Sequence, residues 1–185
     1  QVPLNFTGDI ILIIYLFALA RFFLVLTSLD TGSAFGGMGG SREMMVSSMA
    51  EPAMILSFFT VVLTVNSTNL SNITSTLLNN SILLLNPSLI LAFAALTIVL
   101  IAETGRIPVD NPFTHLELTM IHEGMMLEFS GRYLALVEWA SSMKLLLLLT
   151  ILVNIFFPWG IAGGLTFSGL IIAFALYVVK IGFFA

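Results

Sequence analysis

Five nearly unbroken apolar stretches divide this chain. Each is close to the roughly 20 residues a helix needs to cross a bilayer. The pattern predicts spans over 10–28, 45–65, 82–102, 134–157 and 161–184. They read as helices, because an open strand edge in lipid would leave backbone groups unpaired. A few ionisable residues interrupt them: Arg21 in the first span, Glu51 beside Pro52 in the second, Glu138 and Lys144 in the fourth, and Lys180 near the end of the fifth.

The polar segments between the spans differ in character. The first, TGSAFGGMGGSRE over 31–43, is glycine-rich. It lacks the Lys-Ser/Thr ending of a phosphate-binding loop and follows no strand. It predicts a tight turn in which backbone approaches a partner, with Ser41-Arg42-Glu43 starting the next helix. The second, NSTNLSNITSTLLNNS, carries no charge. Its Asn-x-Ser/Thr triplets match glycosylation acceptors, but a plain polar turn is the preferred reading. The third, over 103–133, holds most of the charge, and the fourth, PWGIAGG, holds none.

Composition turns the pattern into a class. Of 185 residues, 58% are hydrophobic and 9% charged, with a mean hydropathy of +1.09. A soluble domain carries about 25% charged residues, so this chain cannot cover a globular surface with polar groups. The expected fold is an all-α polytopic membrane helix bundle, a single transmembrane domain over 1–185 in contact with the lipid bilayer. No basic run suits nucleic acid. With no cysteine, the chain has no thiolate for an iron–sulfur cluster or nickel site and forms no disulfide. Gln1 to Asp9 has no basic region of a signal peptide. The first residue is not Met, which suits a piece of a longer chain. The loop arginines Arg42, Arg106 and Arg132 all fall on one side of the five spans, and the positive-inside rule makes that side cytoplasmic. The N-terminus is then outside and the C-terminus inside.

Ala102 to Arg132 gathers seven of the 16 charged residues and both histidines. Pro108 and Pro112 end any helix continuing from the third span. Asn111-Pro112 resembles a helix start, and a helix is expected over 114–129. At about 100° per residue, His115 and His122 share one face and Glu117 and Glu128 the opposite one. Two polar stripes exceed what a simple surface helix needs. A metal site is not expected: His122-Glu123 opens a zinc-protease signature, but Met126 stands where the second histidine would be, and His115 is seven residues from His122.

Proton or charge handling fits better. Glu51, Glu103, Glu138 and Lys144 lie in or at the ends of apolar spans, where burial disfavours the charged form of such groups. Groups poised in this way exchange protons. The bland alternative is mutual pairing, Glu138 with Lys144 or Glu51 with Arg42. Lys180 reads as a snorkelling side chain. Arg21 needs a buried partner such as a glutamate, and pairing and function weigh evenly for it. Glu51 and Glu103 favour function, because intramembrane carboxylates are costly to keep.

These residues resemble one family. LDTGSAFGGMGGSREMM, MAEPAMIL, AETGRIPVDNP, HLELTMIHEGMMLEFSGR and ALVEWASSMK look like the membrane subunit shared by group 4 nickel–iron hydrogenases, including formate hydrogenlyase and hydrogenase-4. That subunit is similar to the quinone-site membrane subunit of respiratory complex I. The match runs from about residue 10 to about residue 180. It implies that Glu103, Arg106, Pro108 and Asp110 lie in the stretch that in complex I lines the quinone cavity and opens a glutamate-rich proton path. Glu128, Phe129, Ser130 and Gly131 match the end of the following helix, and Arg42 and Glu51 the Arg and Glu before it. The chain departs from complex I where a dense Glu-x-Glu-x-Glu run gives way to His115, Glu117, His122 and Glu123, which favours the hydrogenase branch. The family has about eight spans and this chain five.

The resemblance implies a subunit that couples redox chemistry in a docked hydrogenase-type module to proton or sodium movement. The expected coupling residues are Glu51, Glu103, Asp110, Glu117, Glu123, Glu128, Glu138 and Lys144. The expected positioning residues are Arg42, Arg106, Pro108, His115, His122 and Arg132. No catalytic centre, metal or cofactor is expected in this chain. Iron–sulfur clusters and a nickel–iron centre would sit in partners: peripheral hydrogenase-like large and small subunits and an iron–sulfur subunit, besides antiporter-like membrane subunits. The site would be a cell inner (plasma) membrane with the 103–133 loop cytoplasmic. Other readings are a quinone-binding subunit of an NADH dehydrogenase-type complex and, ranked lower, a stand-alone ion transporter or a passive anchor.

Overall fold

In the computed structural model, residues 8–107, 109–110, 121–159 and 167–184 are described. Helix α1 spans Ile10–Asp30, α2 Ala34–Val65, α3 Leu70–Asn79, α4 Pro87–Glu103, α5 His122–Met126, α6 Arg132–Phe156 and α7 Phe167–Phe184, with a short 3₁₀ helix over Ser81–Leu85. Among the described residues the sole β-type pairing is an isolated bridge between Asp9 and Asn69. The protein is an all-α membrane bundle.

Helices α1, α2 and α6 are long and apolar enough to cross a membrane, while α4 and the Ile171–Phe183 stretch of α7 are shorter. At 1.5 Å per residue, the 17 residues of α4 reach about 26 Å, near the thickness of the hydrocarbon core. The predicted third span started too early. Residues 81–85 form the 3₁₀ turn, and Pro87 opens α4 at its first turn, where a missing N–H costs nothing.

The glycine-rich stretch is where structure and expectation part. It is not a loop. Gly32, at φ +64°, turns the chain after α1. Ser33 Oγ then accepts from the Gly36 N–H at 3.1 Å, so α2 starts at Ala34 and not at Ser41. The 32-residue α2 is thus about 48 Å long, and its first half is glycine-faced. A Cβ on Gly36 would sit 2.6 Å from the Ser28 carbonyl oxygen, and one on Gly39 would sit 2.9 Å from that of Ile121. The bare backbone lets α1 and α5 lie directly against α2. The expected close approach is present, on a helix face instead of a turn.

The uncharged segment folds as well. Asn69 Oδ1 accepts from the Ser71 N–H at 3.0 Å, capping α3, whose Ile73 and Leu77 are buried. The core joins these to Met54, Phe58 and Val61 of α2, Leu96 and Val99 of α4, and Leu148, Leu152 and Ile155 of α6. Large apolar side chains such as Leu16, Phe23, Leu56, Leu63 and Leu91 face outward, as lipid contact requires. Lys180 donates to the main-chain oxygens of Phe157, at 2.7 Å, and Trp159. It thereby satisfies main-chain carbonyls just past the end of α6.

Candidate functional site

Arg21 stands on α1 at the centre of a buried charge cluster. Its side chain is 3% exposed, so each positive edge needs a partner. Nη1 donates to Glu51 Oε1 at 2.5 Å, Nη2 donates to Glu103 Oε1, and Nε lies 3.8 Å from Glu43 Oε1. Lys144 of α6 completes the group. Its Nζ is 2.8 Å from Glu103 Oε2 and also donates to the Glu103 main-chain oxygen at 2.9 Å. Glu103 is the last residue of α4, so its carbonyl has no intrahelical partner. The lysine meets both the carboxylate and the negative end of the helix.

Local sequence explains why these side chains meet. Glu43, Ser47 and Glu51 are spaced i, i+4, i+8, one stripe of α2, and the buried Ser47 keeps that stripe narrow. Pro52 follows Glu51 inside the helix and removes the hydrogen bond to the Ser48 carbonyl. Gly105, at φ +59°, then turns the chain out of α4 and back under the bundle.

That returning segment is held by Asp110. The carboxylate is buried and accepts the main-chain N–H groups of Ile121 at 3.2 Å and His122 at 2.9 Å. This fixes α5 against the glycine face of α2. Between α5 and the charge cluster lies a cavity of about 320 Å³, walled by Phe17, Arg21, Glu43, Arg106, Asp110, His122, Ser141 and Lys144 among others. His122 Nε2 is buried and has no hydrogen-bond partner among the described residues. Burial, and then the nearby Lys144, hold this histidine below its ordinary range, while Asp110 pulls the other way. Its neutral form is favoured, and it resists taking up a proton.

The structure brings Glu51, Glu103 and Lys144 into one cluster and sets Asp110 and His122 at the cavity beside it. It separates others. Glu123, Glu128, Glu138 and Arg132 are exposed. The pairing of Glu138 with Lys144 is not formed, because Lys144 turns to Glu103. The pairing of Glu51 with Arg42 is likewise replaced by Arg21. Arg106 is exposed at the cavity rim, and Arg132 lies over the Tyr133 ring at 4.9 Å. Pro108, Asn111, Pro112, His115 and Glu117 lie outside the described residues. The helix expected up to Phe129 ends at Met126. Among the described residues no group of three or more His, Asp or Glu could hold a metal ion.

Two members of the site were not among the expected functional residues. Arg21 was legible as a mid-span arginine in need of a glutamate. Glu43 was expected only at the start of the second helix, although its i, i+4, i+8 spacing to Glu51 marked it.

The sequence of the whole chain, residues 1–185, matches the model of the family described as NADH dehydrogenase. The chain belongs to the NADH dehydrogenase family. Among curated relatives in that setting, it is 37% identical to Formate hydrogenlyase subunit 4 of Escherichia coli (strain K12). That similarity covers 97% of this chain and 57% of the relative. It is also 37% identical to Hydrogenase-4 component C of the same organism, over 94% of this chain and 54% of that protein. The chain thus spans about half the length of the curated relatives it matches. The NADH dehydrogenase family match covers every residue of the charge cluster.

Proposed function

We propose that the chain is the membrane subunit of a complex-I-like energy-converting oxidoreductase. It couples redox chemistry in a docked hydrogenase-type module to movement of protons or sodium ions. The observation that carries this reading is the Arg21-centred cluster, which ties α1, α2, α4 and α6 together beside a cavity lined by Arg106, Asp110 and His122 of the charged segment. A movement of that segment changes the surroundings of the buried carboxylates and so their proton affinity. Antiporter-like membrane subunits would take up the change and move the ion. Hydrogenase-like large and small subunits and an iron–sulfur subunit would hold the redox centres. The chain would lie in the plasma membrane with residues 103–133 in the cytoplasm. Similarity to the two hydrogenase-system proteins supports this branch.

Glu51→Gln and Glu103→Gln, made in the intact complex, are expected to uncouple ion movement from turnover. If both variants still pump in full step with turnover, the reading is wrong.

One observation favours a second reading, a quinone-binding subunit. The cavity places apolar Phe17, Leu24, Val109 and Leu145 beside polar Arg106 and His122, a mixture suited to a ring with a polar head. Competition of a quinone analogue with turnover, relieved by substitutions at Phe17 or His122, would support that reading.

A further inference from the structure

The charges of the site, of which Glu51 alone has a side chain more than a third exposed, do not balance. Arg21 and Lys144 supply two positive charges against three carboxylates, Glu43, Glu51 and Glu103. The cavity wall leaves the surplus unchanged, because Arg106 at the rim offsets Asp110. A surplus charge away from water is costly, and a buried carboxylate commonly answers by binding a proton.

The pairing distances single out one carboxyl. Glu51 takes a charge-assisted bond from Arg21 at 2.5 Å. Glu103 meets both cations. Glu43 has only the long 3.8 Å approach to Arg21 Nε, with its side chain 15% exposed. That Nε belongs to a side chain 3% exposed, and it has no hydrogen-bond partner among the described residues. A carboxylate that turned slightly would fill this vacancy; the observed geometry leaves it open. Glu43 also lines the cavity, whereas Glu51 does not.

We propose that Glu43 carries the cluster's exchangeable proton in the resting state, loaded and unloaded through the cavity, while Glu51 and Glu103 stay paired with Arg21 and Lys144. With that proton the five-residue cluster is neutral. On release, the proton leaves into the cavity and the new carboxylate closes onto Arg21 Nε. The charged and titratable groups facing Glu43 across the cluster and cavity are Arg21 from α1, Glu51 along α2, Glu103 from α4, Arg106 and Asp110 after it, His122 from α5 and Lys144 from α6. The assignment deepens the coupling reading, but its readout does not depend on ion movement.

Infrared spectra of the intact complex, recorded in H₂O and D₂O across pH, test it. The native complex should show a deuterium-sensitive band of a protonated carboxyl at neutral pH. Glu43→Gln should lose that band at neutral pH. Glu51→Gln and Glu103→Gln restore charge balance by another route, so each should keep the band but move its titration to lower pH. Should Glu43→Gln fail to assemble, Glu43→Asp keeps a carboxyl and should keep the band at a shifted frequency. Persistence of the band in Glu43→Gln, an unmoved band in Glu43→Asp, or no such band in the native complex would overturn the assignment. Pumping measured on the same samples separates the two ideas. Loss of the band with coupling intact upholds the proton at Glu43 and removes the coupling role.

Discussion

Arg21 holds carboxylates that reach it from two other helices, α2 and α4. Removing one partner of a buried ionic network strands the rest, at a cost of about 3–5 kcal/mol. Arg21→Leu should therefore lower the thermal unfolding temperature of the detergent-solubilised protein far more than Glu138→Gln, whose side chain is exposed. Asp110 works differently, by accepting two main-chain N–H groups. Asp110→Ala leaves both part-buried donors unpaired, at a cost of up to about 1–3 kcal/mol each, and should speed hydrogen exchange at Ile121 and His122. His122 adds a pH dependence. Its folded form binds a proton less readily than its ordinary pKa of 6.5 implies. Below that value the unfolded chain takes up a proton that the folded one refuses, so stability falls as pH drops below about 6.5 toward the lower folded value. His122→Gln should flatten this acid loss in a melting-temperature profile.

At the scale of elements, the glycine face of α2 decides where the charged segment docks. A side chain at Gly39 would collide with the Ile121 carbonyl and with Met125, while a Cβ at Gly37 meets nothing within 4 Å. Gly39→Val should release α5 and expose Met125, now 1% exposed, to labelling as Met125→Cys. Gly37→Ala should leave docking intact and stabilise α2 by about 0.5–1 kcal/mol. This contrast also marks the limit of what sequence could reveal. Long apolar runs announce α1, α2 and α6, because lipid imposes length and composition. Glycine density looks the same whether it serves a turn or a helix face, since the deciding contacts at Ser28 and Ile121 come from distant segments. Glu51, Glu103 and Lys144 were legible as costly charges in apolar spans. Their mutual pairing was not, because Arg21 lies 82 positions from Glu103 in sequence, and no local spacing encodes that meeting.

At the scale of the whole molecule, the cluster is a cross-link of four helices, with Asp110 and His122 at the cavity beside it. If residues 103–133 face the cytoplasm, cysteines placed at Ser67 and Ser130 should label from opposite sides of sealed vesicles. The coupling claim itself is best tested by the number of ions moved per turnover in liposomes containing the purified intact complex. Glu103→Gln should keep turnover but lower that number sharply, while Glu138→Gln, outside the cluster, should leave it at the native value. An unchanged ratio in Glu103→Gln, or an equal loss in Glu138→Gln, would contradict a coupling role centred on Arg21.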